Sequence, residues 1–218
     1  MAGFRTHITV SSAAGIAFGA AAVTPLGFTA ETGFLAAAVT AVGGMLPDLD
    51  SDSGVPVREL SALSAVALPI LLIPRLTHAG MSTEGILAFL AGMYLFLRYG
   101  VSWLISRISV HRGMFHSIPA MLISGLVIYL EYDSPDRRIR LILAGGVMLG
   151  FLSHLILDEI YSVDFNGLRP RLSKSAGSAV KLASPSWTGT MACYAILVAL
   201  AVVAYAEWMH ATGQLRPR

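Results

Sequence analysis

Seven apolar stretches alternate with short polar ones along the chain, at 8–23, 33–46, 60–76, 85–108, 118–130, 139–157 and 190–209. A helix that crosses a bilayer needs about 20 predominantly apolar residues, with a working range of about 17–25. The pattern therefore predicts an all-α, polytopic transmembrane bundle of six or seven spans. The second stretch is short: at about 1.5 Å per residue it reaches only about 20 Å, which predicts a helix that stops partway through the hydrocarbon or dips in and returns. The first stretch also has the outline of a secretory signal peptide, with Arg5 ahead of a small-residue run ending near Ala20, Ala21 and Ala22. His7, Thr9, Ser11 and Ser12 make it more polar than a usual signal core, and it is read as the first span. No internal repeat is visible, and residues 1–218 read as one integral membrane domain with a long polar loop at 159–189.

Within the spans, Ser11, Gly15 and Gly19 recur at helical spacing, as do Gly146 and Gly150. Small residues in register let helix backbones approach closely inside a membrane, so these positions predict packing surfaces rather than chemistry. Composition agrees with a membrane protein: 55% of residues are hydrophobic, 13% are charged, and mean hydropathy is +0.69. The net charge of +2 comes from scattered basic residues, so no nucleic-acid footprint is evident. Cys193 is the one cysteine, which excludes an internal disulfide and a thiolate metal cluster.

The polar residues matter most by position. If the chain changes sides at each span, His7 begins the first, Asp48 and Asp50 end the second, His111 and His116 join the fourth to the fifth, and His154 with Asp158 ends the sixth. All of these fall on one face, which gathers four of the six histidines and leaves His78 and His210 for the surface.

Their chemistry suits a metal. In PDLDSDSG (47–54), Pro47 disfavours helix before it, so Asp48 and Asp50 are expected on extended or looping backbone, where residues two apart point the same way. Two adjacent carboxylates repel, and a divalent cation relieves that repulsion; a polar turn capping a helix is the plainer alternative. In GFLSHLILDEIYS (150–162), His154 and Asp158 stand one helical turn apart on one face. They can chelate one ion, or the carboxylate can orient the imidazole. A buried His–Asp hydrogen bond is the structural alternative, but ionisable groups inside spans are functional candidates by default. In HRGMFHS (111–117), a continuous helix would set His111 and His116 about 140° apart, so Gly113 is expected to open a turn that lets both face inward. Arg112 offers a fork suited to phosphate or carboxylate, or else snorkels to headgroups.

Together, His7 near the start, LPDLD at 46–50, HRGMFHS at 111–117 and GFLSHLILDE at 150–159 resemble the bacterial family of LexA-binding, inner-membrane-associated metal-dependent hydrolases. Order and spacing match over roughly the first 160 residues. That family is similar, at a distance, to zinc-dependent phospholipase C and related nucleases, which hold a zinc cluster with His and Asp ligands. The resemblance implies an all-helical fold with His7, Asp48, Asp50, His111, His116, His154 and Asp158 as metal ligands. It implies two or three divalent ions, zinc or else manganese. Where family members often carry histidine after P-D-x-D, this chain has Ser51 and then Asp52, so either Asp52 substitutes as a ligand or one ion fewer is held.

The expected function is hydrolysis of a phosphoester in a lipid or lipid-like membrane substrate. Such metal centres lower the pKa of a water and clamp the phosphoryl group during in-line attack. Arg112, Asp50 and His154 are the residues expected in catalysis, with Arg112 steadying phosphoryl charge. A regulatory or scaffold protein with a structural metal is the alternative. A divalent-metal transporter fits less well, because its ligands belong near mid-membrane. Arg169, Arg171, Lys174 and Lys181 in the 159–189 loop suit anionic headgroups, either as a lid or as a positive-inside segment. They add to the basic side of the protein and predict that the site faces the cytoplasm from a bacterial inner membrane. Arg98, inside the fourth stretch, needs a partner or a route to water.

Overall fold

The computed structural model describes residues 3–50, 55–100, 114–166, 169–172, 182–183 and 187–212. Each apolar stretch is helical over its described residues: α1 (Phe4–Val23), α2 (Ala30–Gly43), α3 (Val55–His78), α4 (Thr83–Leu95), α5 (Ile118–Glu131), α6 (Arg137–Ile160) and α7 (Trp187–Ala211). Among the described residues three of these, α1, α6 and α7, are long and apolar enough to cross a membrane, against the six or seven spans expected. Helices α2 and α5 have 14 residues each, about 21 Å of rise against about 30 Å of hydrocarbon, so each is short for a span. Helix α4 runs into a π turn at Phe96–Gly100, and the rest of the fourth apolar stretch, 101–108, lies outside the described residues.

Over the described residues the fold is helical as expected, with one short hairpin besides the helices. Strands β1 (Val163–Asn166) and β2 (Arg169–Leu172) pair antiparallel, Val163 opposite Leu172 and Asn166 opposite Arg169, inside the stretch read as a polar loop. The sequence carries the reason: Val163 and Phe165 alternate with polar residues ahead of Asn166 and Gly167, a hairpin signal.

Backbone contacts gather into two compact units, one of Met1–Pro47 with Gly113–Arg218 and one of Asp48–Arg112. In the first unit, α1 packs on α2 and α6, α6 also packs on α2 and α5, and α5 packs on α7. Polar caps start the helices: Thr29 accepts the Thr32 amide at 3.3 Å, Ser117 that of Ala120 at 3.3 Å, and Asp136 that of Arg138 at 2.8 Å. The small residues act as expected. Gly15 and Gly19 of α1 lie against the Ala37 and Gly33 carbonyls of α2, and Gly43 and Gly150 lie against the Val147 and Thr40 carbonyls across the α2–α6 contact. Between them, buried Ser11 donates to the Ala41 carbonyl at 3.1 Å.

At the opposite end of this unit from the α1 N-terminus, Arg140 ties three helices together. Its Nε donates to the Tyr129 carbonyl of α5 at 2.7 Å, its guanidinium lies 4.3 Å from the Tyr129 ring centre, and it grips both carboxylate oxygens of Glu207 on α7. A charge at the end of an apolar helix needs such pairing. Arg140→Ala is expected to cost about 2 kcal/mol and Glu207→Gln about half that, read as lowered melting temperatures in detergent. Unchanged melting of both variants would show that the clamp contributes nothing. Nearby, Arg138 lies 5.0 Å from the Phe28 ring centre, and Tyr205 and Trp208 stack at 6.0 Å, consistent with an interfacial aromatic belt.

The second unit contains α3 and α4. The π turn carries Arg98, whose guanidinium lies 5.6 Å from the ring centre of the neighbouring Tyr99, an aromatic contact among the described residues for the charge that the sequence left open.

Candidate metal centre

Three helix ends of the first unit bring four side chains into one cluster. His7 lies in the first turn of α1, His116 in the turn just ahead of α5, and His154 and Asp158 in the last two turns of α6. Up-and-down connectivity brings the start of α1, the end of α2, the start of α5 and the end of α6 to the same end of the unit. The local sequence sets each side chain. The i, i+4 spacing on α6 aims His154 and Asp158 one way. The Ser117 cap, whose hydroxyl also donates to the Met114 carbonyl, fixes the turn that presents His116.

The side chains are almost fully enclosed, with His7 and Asp158 each 2% exposed, His154 0% and His116 7%. Asp158 faces different imidazoles with its two oxygens. Oδ1 lies 3.2 Å from His7 Nε2, while Oδ2 lies 3.7 Å from His154 Nε2 and 3.8 Å from His116 Nε2. The His7 and His154 rings stack with centroids 3.6 Å apart and planes 11° from parallel, and His116 meets His154 edge-on at 5.4 Å. On its far side, His154 Nδ1 stands 2.8 Å from the Gly44 carbonyl at the C-cap of α2.

The donor set fits a divalent ion. In a tetrahedral zinc site with bonds of about 2.0–2.1 Å, neighbouring ligand atoms stand about 3.3 Å apart, and the His7, His154 and Asp158 ligand atoms all lie within 4.8 Å of one another. His7 Nδ1 is buried with no hydrogen-bond partner among the described residues, an unusual cost for a ring nitrogen held in the protein interior. Imidazole and carboxylate without thiolate suit zinc or manganese.

Of the residues singled out in the sequence, His7, His116, His154 and Asp158 come together. Asp48 is partly buried in the 3-10 turn Pro47–Asp50 and belongs to the second unit. Asp50 shares that turn. Of the extended or looping backbone expected here, the structure shows a tight 3-10 turn, in which residues two apart do not have the matching directions of a strand. Pro47 still starts the departure from α2, but its fixed φ is as compatible with a tight helical turn as with a strand. His111, Arg112 and Asp52 lie outside the described residues. His78 and His210 are exposed, as expected. The Gly44 carbonyl is the contact that the sequence did not give away. A Gly-Gly pair ending a short span was its only local sign.

A helical membrane protein with an enclosed His/Asp cluster at one end of its packed helices is the class this fold and site define. The YdjM inner membrane protein family matches residues 1–213, and the chain belongs to that family. No curated protein and no solved structure matches it.

Proposed function

We propose that the protein is a multi-pass, membrane-embedded, metal-dependent hydrolase acting on a phosphoester in a lipid or lipid-like substrate. The observation that carries this reading is the convergence of His7, His116, His154 and Asp158, nearly water-free, at one end of the α1–α2–α5–α6 packing. In this proposal those four residues hold the first cation, and the family resemblance adds Asp48, Asp50 and His111 as ligands for further ions, two or three of zinc or manganese in all. A bound divalent ion supplies Lewis acidity and an activated water at neutral pH. The chain's own part is to fix the ligands, exclude bulk water and, through Arg112, steady charge on a phosphoryl group. The basic residues of 159–189 would draw anionic headgroups toward the site, and the positive-inside rule places that end on the cytoplasmic side.

The burial of the four side chains also favours a second reading, a regulatory or scaffold protein whose metal is structural, because closed four-ligand sites are the structural kind. Metal analysis of purified protein beside Asp50→Ala and His154→Ala tests the shared premise. Wild type is expected to retain zinc or manganese at one or more ions per chain, with His154→Ala at background and Asp50→Ala reduced. A wild type at background sinks both readings. Tight metal retention without hydrolysis of phosphodiester or phosphomonoester probes would favour the structural one.

A further inference from the structure

Which nitrogen of His154 faces the cluster is a matter of tautomer, and the structure supplies a device for choosing it. His154 Nδ1 lies 2.8 Å from the Gly44 carbonyl, and both groups belong to the first unit. A carbonyl oxygen only accepts, so the short contact requires a proton on Nδ1. That leaves Nε2, on the opposite side of the ring and 3.7 Å from Asp158 Oδ2, as the nitrogen turned toward the other ligands.

The carbonyl is itself held in place. Gly44 sits in ordinary right-handed backbone at the end of α2 (φ −69°, ψ −8°), its amide bonded to the Thr40 carbonyl at 3.3 Å. A Cβ on Gly44 would run into Ser11 of α1, and a Cβ on Gly150 of α6 would run into the Thr40 carbonyl and the Gly44 amide. Three helices thus close on this peptide, so its position depends on the smallness of residues 44 and 150 rather than on any flexible side chain.

Resting on the metal reading of the site, we infer that the Gly44 carbonyl is a positioning group that keeps the proton on His154 Nδ1 and commits Nε2 to the cation. Outer hydrogen bonds of this kind orient ligand imidazoles, and their loss typically weakens metal binding about 10–100-fold.

The test uses the full chain in detergent, labelled with 15N-histidine and assigned by a His154→Gln variant, with zinc as the probe. Long-range nitrogen–proton spectra of the metal-free protein are expected to show His154 protonated at Nδ1. Added zinc should move Nε2 and leave Nδ1 protonated. A His154 lacking the Nδ1 proton, before or after zinc, overturns the inference. Failure of zinc to move any imidazole signal would instead sink the metal reading, and the metal-free spectrum decides the positioning on its own. Gly44→Ala, which crowds Ser11, is expected to shift the Nδ1 signal and weaken zinc binding by about 10–100-fold. Ser11→Gly added to it makes room for the new methyl and should restore most of both. Wild-type zinc affinity and an unmoved Nδ1 signal in Gly44→Ala would also overturn it.

Discussion

Asp158→Ala is expected to strip the centre of metal and to destabilise the protein even when chelator has already removed every ion. The metal effect follows from geometry: Asp158 meets three imidazoles at 3.2–3.8 Å, so its loss takes a ligand oxygen from beside each of them. The stability effect follows from burial. Removing one member of an enclosed polar cluster leaves the others without their partner, at a cost of about 3 kcal/mol or more. In a chain of this size that lowers the melting temperature by roughly 6–12 °C. Asp158→Asn, which keeps the shape but not the charge, should lose the metal yet recover part of the stability. Metal content and chelator-treated melting curves measured together check both halves. An alanine variant that keeps its metal would show that the ion, if any, is held elsewhere.

Gly150→Val is expected to be at least as damaging although residue 150 brings no side chain to the cluster. Its Cβ would occupy the space of the Thr40 carbonyl and the Gly44 amide, and backbone cannot rotate aside as a side chain can. Overpacking of this kind costs about 1–3 kcal/mol in ordinary cores and more where only a shift of whole helices relieves it. Because the same shift moves the Gly44 carbonyl off His154, metal retention should fall with stability. Gly92→Ala on α4 is the control, since a Cβ there meets nothing within 4 Å. It should be neutral or stabilising by about 0.5–1 kcal/mol, as alanine is in a helix interior. Equal melting temperatures for the two variants would remove the close-packing argument.

The helices were legible because hydrocarbon demands long apolar runs, and each run is helical over its described residues. The packing glycines were legible because i, i+4 small residues serve few other purposes in a span. His7, His116, His154 and Asp158 could be grouped by counting the sides on which spans end, with no knowledge of distances. Three things lay beyond that arithmetic. The hairpin at 163–172 competes with loop in a short polar stretch and needs an alternation read over only four residues. The local backbone of Asp48 and Asp50 turns on whether Pro47 starts an extended segment or a 3-10 turn, and proline's fixed φ suits both. The Gly44 contact is a backbone carbonyl meeting a residue 110 positions away, which no side-chain pattern records.

The seam of Gly15, Gly19, Gly33, Gly43 and Gly150 also bears on the entropy of assembly. Ordering a leucine or methionine surface freezes rotamers, whereas glycine has none to freeze, so backbone-on-backbone contact between α1, α2 and α6 forms with almost no side-chain entropy lost. Imidazoles hung from such a seam inherit its tolerances. On the proposed metal reading, a cation arriving at His7 and His154 would meet donors already in place, and little of its binding free energy would be diverted into ordering them.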